Sequence, residues 1–287
     1  MKRPIIGIIY DFDRTLAIED LQNFSFIPKL GMTPDQFWKL TNENSEKTGM
    51  EKILSYMYVM IQESQKKGIP LTKDYLESLG KDIRFFPGLN GWFHRINEFG
   101  LEQGVQVEHY IITSGTREII MGSPIAKEFK AIFGCEFLFT GPNKVATWPK
   151  NTINYTMKTQ YFFRITKGVL DQTNDEKVNE RTKEKRIKNR NLIYIGDGLT
   201  DVPAMLLAKE NGGKSIAVYA KNQEEKAKQL VADDRVNFIC EADYRSDSML
   251  DKVVKLTIQQ MAITEALSHR EVKDTRQATL QRRVLSA

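Results

Sequence analysis

Six short apolar runs set the frame of this sequence: PIIGIIY (4–10), VEHYIIT (107–113), CEFLFT (135–140), NLIYIG (191–196), SIAVY (215–219) and VNFIC (236–240). Most are continuous rather than alternating, which is the pattern of strands covered on both faces. Helical patterns lie between several of them, so the spacing predicts an α/β fold with a parallel sheet and helices on both sides. A chain of 287 residues can form one large domain or a core with an inserted subdomain. Its hydrophobic share of 41% and charged share of 28% belong to an ordinary globular protein rather than a disordered one. No apolar run approaches the ~18 residues of a membrane span. The opening MKRPIIGIIYD reaches an acid too early for a secretory signal, so a cytoplasmic location and no membrane partner are expected.

Residues 17–86 break the strand rhythm. Thr33 is placed as an N-cap, with Pro34 at the first helical position and Gln36 where a capping box needs Glu or Gln. Ile53, Leu54, Met57, Met60 and Ile61 follow at helical spacing up to a stop at Gly68, and TKDYLESLG (72–80) reads as one more short helix. This all-helical block is expected to be a cap inserted between core segments 1–16 and 87–287. Leu89, Phe93, Ile96 and Phe99 mark a helix leading back to the sheet, and 145–158 reads as a hairpin excursion. Leu250, Val253, Val254, Ile258 and Met261 give a C-terminal helix, and residues 268–287 are expected to be a frayed tail.

Cys135 and Cys240 both sit among apolar residues and read as buried free thiols. The net charge of +5 does not argue for nucleic acid, and much of it lies in the mixed-sign stretch 176–190, expected to be a solvated face. His94, His109 and His269 have no metal spacing and are assigned structural or exposed positions.

Ligands of an open parallel sheet collect beyond the carboxyl ends of its strands. Asp11 and Asp13, in DFDRT, stand there after the first strand, and Asp197 and Asp201, in GDGLTD, stand after the fourth. Four carboxylates at one edge repel unless a cation lies among them, and an oxygen-only donor set suits Mg²⁺. Asp201 also suits the N-terminus of the following helix. In YIITSGTRE, Ser114 can donate to a phosphate oxygen and Gly115 lets a backbone amide approach it. A lysine is needed to neutralise a phosphoryl group. Lys158 and Lys167 compete for this role but lie ~13 Å apart along one helix and cannot share a site; the ligand edge favours Lys158.

Taken in order, DFDRT, TSG, a lysine before a helix and GDGLTD resemble the four motifs of the haloacid dehalogenase (HAD) superfamily, over residues 5 to about 205. The resemblance implies a Rossmann-like core with a helical cap, nearest to phosphoserine phosphatase-like members. It further implies a Mg²⁺-dependent phosphatase acting on a small phosphorylated metabolite. Asp11 would be the nucleophile and Asp13 the acid–base, also a metal ligand through its backbone carbonyl. Asp197 would be a metal ligand, Ser114, Gly115 and Lys158 would bind phosphate, and Thr15 would support the loop. Asp13 argues against dehalogenation, because a halide leaves without a proton. Asp20, with Glu19 beside it, occupies the place where phosphoserine phosphatases carry an acid that meets the substrate amine. The continuation SGTRE and the insert 141–158 depart from those enzymes. A phosphomutase, a receiver-like phospho-acceptor module and a phosphatase of nucleic-acid ends are the alternatives.

Overall fold

The first apolar run forms β1 (Ile5–Tyr10), and its neighbours on both sides are strands that come much later in the chain. The computed structural model describes residues 3–182 and 184–285, with side chains to 279; the remaining residues of segments 1–16, 176–190 and 268–287 lie outside the described ones. The sheet contains β2 (Gln106–Thr116), β3 (Ala131–Thr140), β4 (Val145–Asn151), β5 (Leu192–Gly196), β6 (Lys214–Tyr219) and β7 (Phe238–Glu241), in the order β4-β3-β2-β1-β5-β6-β7. All neighbours pair in parallel except β4, which returns antiparallel on β3. Strand β1 buries Ile6, Ile8, Ile9 and Tyr10 completely, as a central strand covered on both faces must. The order reverses direction between β1 and β5, which makes their carboxyl ends the topological switch point.

Between β1 and β2 the chain inserts α1 (Leu21–Phe24), α2 (Phe26–Lys29), α3 (Pro34–Thr48), α4 (Lys52–Lys66) and α5 (Lys73–Leu79), and then α6 (Leu89–Glu102) returns to the sheet. The capping box forms as expected: the Gln36 amide donates to the Thr33 hydroxyl and the Thr33 amide to the Gln36 side chain. The two ends of the insert run side by side, with the Ile18 amide 3.0 Å from the Arg84 carbonyl and the Phe86 amide 3.0 Å from the Leu16 carbonyl. Its far end meets the hairpin, where the Ala146 amide donates to the Leu71 carbonyl at 2.8 Å.

After β2 come α7 (Arg117–Met121), the β3–β4 hairpin, α8 (Met157–Lys167), α9 (Asp175–Asn179), α10 (Val202–Glu210), α11 (Glu225–Ala232) and α12 (Met249–Leu285). The expected strand 135–140 is only the second half of β3. Residues 131–135 pair with β2, and 136–140 pair with β4. The tail expected to fray instead continues as helix α12 to Leu285, although residues 269–279 are exposed all round. Backbone hydrogen bonds along a polar sequence are enough to carry that helix past the packed domain.

The basic stretch also differs from a purely solvated face. Arg186 clamps Glu108 of β2 through two contacts of 2.6 and 2.7 Å, while Lys188 and Arg190 both reach the buried Glu265 of α12 at 2.7 and 2.9 Å. Burial alone would raise the Glu108 carboxyl, but the Arg186 and Tyr110 hydrogen bonds outweigh it and hold the group low. His109 lies inside the core between the Tyr10 hydroxyl (3.0 Å) and the Asn97 amide oxygen (3.2 Å), and burial pushes its imidazole down to about 3. His94 pairs with Glu98 at the surface and His269 is exposed, so each histidine occupies a structural or exposed position. Both cysteines are buried free thiols.

Candidate active site

Strands β1, β2 and β5 deliver their chemistry to one edge. Asp11 leaves β1 with its amide donating to the Ile195 carbonyl of β5 at 2.9 Å, which fixes the carboxylate beside the end of β5. Lys158, second residue of α8 and fully buried, donates from Nζ to Asp11 Oδ1 (2.9 Å) and Asp201 Oδ1 (2.6 Å). Burial alone would lower the lysine, but Asp11 and Asp201 outweigh it and keep the ammonium protonated. Lys167 sits at the other end of α8 and donates to the Val178 and Glu180 carbonyls, so of the two candidates only Lys158 reaches the carboxylates.

Asp201 also accepts the Tyr194 hydroxyl at 2.8 Å and the Gly198 amide at 3.3 Å. Gly196 makes this possible, since a Cβ there would stand 2.5 Å from Asp201 Oδ2. With Lys158, Tyr194 and Gly198 on its two oxygens, Asp201 orients the lysine.

Beyond Asp11 the chain turns tightly. The Phe12 carbonyl receives the amides of Leu16 (2.9 Å) and Ala17 (3.1 Å), and Arg14 takes a left-handed φ of 56°. This turn swings Asp13 away from Lys158, and its Oδ1 accepts the Leu21 amide at 2.8 Å. Desolvation, then the charges of Asp20 and Asp11, hold the Asp13 carboxyl well above the usual carboxylate range. The Thr15 hydroxyl has no partner; the loop is tied instead through the Thr15 carbonyl, which accepts the Tyr244 hydroxyl at 2.8 Å.

Gly115 serves a different purpose from the one expected. Its amide donates to the Thr113 hydroxyl at 3.0 Å rather than toward an anion, because Thr113 precedes it by two residues with its hydroxyl buried alongside. What the glycine provides is space: a Cβ would lie 2.8 Å from Leu21 Cδ1 and 2.9 Å from Asp13 Oδ2. The Ser114 hydroxyl, by contrast, is buried with no partner among the described residues, and its residue lines the cavity above Asp11.

That cavity measures about 300 Å³ and is walled on the far side by Gln22, Trp38, Ile53 and Tyr56 of the insert. Asp11, Asp197 and Asp201 each bring a carboxylate oxygen within 4.8 Å of the others, an arrangement able to hold an ion. The donor set is entirely oxygen and fits a hard divalent cation. Burial, then the neighbouring carboxylates, push Asp11 up to about 6 and Asp197 up to about 8, against the opposing pull of the Lys158 ammonium. The Asp13 carboxylate is not in this group; its Oδ1 is taken by the Leu21 amide.

The two acids assigned to an amine are both engaged. Asp20 is clamped by Arg14 at 3.0 and 3.3 Å, and Glu19 pairs with Arg84 at 3.2 Å. Arg14, Gln22, Trp38, Tyr56 and Lys226 of the wall escaped the sequence reading, although Arg14 stood in plain view inside DFDRT.

No protein-family model matches the chain. It is 30% identical over 285 positions to an uncharacterized protein of Borreliella burgdorferi, covering 87% of this chain and 95% of that one. The chain belongs to that protein's family. Among solved structures it resembles a HAD family hydrolase from Salmonella enterica serovar Typhi, with a TM-score of 0.56, 17% identity, and coverage of 89% of this chain and 72% of that one. It also resembles a probable phosphoserine phosphatase from Vibrio cholerae, with a TM-score of 0.57, 12% identity, and coverage of 92% and 67%. This is the haloacid dehalogenase fold. At such identities the likeness is one of fold. Within the haloacid dehalogenase fold, the four short motifs of this chain meet at a single sheet edge, 147 residues separating Lys158 from the Asp11 it binds.

Proposed function

We propose that the protein is a Mg²⁺-dependent hydrolase of small phosphate monoesters that works through an aspartyl phosphate on Asp11. The observation that carries the reading is the different placement of two carboxylates two residues apart: Asp11 is held against a buried ammonium, whereas Asp13 is turned away from it onto the Leu21 amide. Such a division suits one acid to attack and the other to proton transfer.

Asp11 attacks phosphorus as the bond to the alcohol oxygen breaks, and Asp13 gives that oxygen its proton. Asp13, now ionised, takes a proton from water; the water attacks phosphorus and returns the Asp11 carboxylate. Lys158 and the unpartnered Ser114 hydroxyl supply positive charge and a donor to the phosphoryl oxygens, in a cavity where such interactions are strong. Asp11, Asp197 and the Asp13 carbonyl would hold the metal, which offsets the charge of a phosphate brought beside Asp11. Asp201 keeps Lys158 aimed. A receiver-like module has no use for Asp13 or for the wall formed by the insert.

Phosphate release from a panel of monoesters with magnesium tests the reading. Asp11→Asn is expected to abolish turnover. Asp13→Asn is expected to lose ~10²–10⁴-fold, the usual worth of a positioned acid–base group. With an activated leaving group, Asp13→Asn should accumulate acid-stable phosphoprotein, because water attack also depends on Asp13. Near-normal turnover by Asp11→Asn would refute the assignment of the nucleophile.

A further inference from the structure

The cavity above Asp11 adjoins a second one of about 560 Å³, with which it shares Arg14, Asp197 and Lys226. The second cavity is lined by Ile18, Asn23 and Phe86 on the side of the insert, and by Val218, Tyr219 and Gln223 at the end of β6 and before α11. The inner cavity, at about 300 Å³, already reaches the ~300–1,000 Å³ in which small ligands bind. An ester with a short alcohol portion is accommodated there and makes no use of the outer space.

The charges on the outer wall build a site for neither an anion nor a cation. Arg14 is held by Asp20 and Glu19 by Arg84, and Lys228 is shared by Glu224 and Glu225. Asp197 belongs to the carboxylate group beside Asp11, and Lys226 is exposed to water. What the wall does offer is uncharged surface. Val218 is buried, whereas Phe86 and Tyr219 are only partly buried and keep ring surface open to the cavity they line. Tyr219 is the last residue of β6, the strand beside β5, so it stands at the same carboxyl edge as Asp197. An open aromatic face is best covered by a second flat ring. Gln223 is exposed on the same wall, and its amide both donates and accepts, as the polar edge of a heterocycle requires.

Accepting the phosphohydrolase reading above, we infer that the alcohol portion of the preferred ester is uncharged and carries a flat ring, as a nucleoside does, and that it occupies the outer cavity against Tyr219. The phosphoryl group then lies at Asp11 and the ring at the far end of the paired cavities. Stacking of a ring on one aromatic side chain is strong enough to be read in the specificity constant.

Four esters of primary alcohols, alike in the bond that breaks, test this with magnesium present. Adenosine and uridine monophosphates carry the ring, glycerol phosphate is short and uncharged, and phosphoserine is short and charged. The better nucleotide is expected to exceed both short esters in kcat/KM by about ten-fold or more. Tyr219→Ala should cut the nucleotide-to-glycerol phosphate ratio about ten-fold, and Tyr219→Phe should keep it. Tyr219 also packs on the core, so Tyr219→Leu, which retains bulk without a flat face, serves as a second variant and should lose most of the ratio as well. A ratio unchanged in both truncations, or a short ester as the best substrate, would overturn the inference. Calorimetry of the nucleotides and glycerol phosphate on Asp11→Asn keeps the two readings apart. Tighter nucleotide binding without wild-type turnover of any ester overturns the hydrolase; wild-type turnover without preference for the ring overturns only the ring site.

Discussion

Asp197 shows how a single carboxylate links metal binding to stability. Its folded-state value of about 8 stands above the ordinary 3.8, so between these two limits the folded protein binds more protons than the unfolded chain. Stability of the metal-free protein must then fall as pH rises through that window. After treatment with EDTA, the unfolding midpoint is expected to decline over this range, and Asp197→Asn should flatten the decline. Added magnesium should raise the midpoint most at the upper end, where the carboxylates are ionised and a ligand that binds only the folded state has the most to offset. An EDTA-treated protein whose midpoint climbs across the same window would contradict the crowding described for these acids. At this level the sequence was informative where a residue's position follows from a strand end, as for Asp11, Asp13 and Ser114, which line one cavity. It was silent where two side chains had to find each other. The Arg14–Asp20 clamp, which changes the meaning of Asp20, involves a side-chain choice that no spacing rule encodes.

Helix α4 connects the insert to the sheet edge through one side chain. The Tyr56 hydroxyl donates to the Ser114 carbonyl at 2.7 Å, and the Cys135 thiol donates to the same oxygen at 3.2 Å. Burial and these neighbours hold the Tyr56 hydroxyl well above its usual range, so it remains a donor. Tyr56→Phe removes one of two donors and is expected to cost ~0.5–1.5 kcal/mol of stability. Its larger effect should be on KM for the phosphate ester, since the residue bearing the unpartnered hydroxyl loses part of its anchorage. Steady-state kinetics beside thermal melts would separate the two, and an unchanged KM would show that the Cys135 contact suffices. The helices themselves were predictable from periodicity and caps, Thr33 to Gln36 above all. Strand β3 was not, because its first half, AIFG, is short and follows a stretch without clear punctuation, so the switch from parallel to antiparallel partner was hidden.

Across the whole molecule, the parallel core and helical insert follow from the continuous apolar runs and the interruption at 17–86. The long-range ion pairs do not. A mixed-sign stretch such as 176–190 reads the same whether it faces water or clamps Glu108 and Glu265, and those partners lie 78 and 75 residues from Arg186 and Arg190. These contacts fasten the front of α12 to the core, while residues 269–279 stand exposed. Truncation after Ser268 is expected to change stability by no more than ~0.5 kcal/mol, as for surface changes generally. Truncation before Glu265 should cost distinctly more, with the two cations left unmatched. Denaturant melts of the two shortened chains test this, and equal losses would mean that the exposed part of α12 is packed after all.

The helical insert is fastened twice: its base strands pair at Ile18–Arg84 and Phe86–Leu16, and its far end is joined to the hairpin at Leu71–Ala146. A cover tied down at two separated points belongs to the frame of the cavity, so Trp38 and Tyr56 stand over Asp11 as part of its wall.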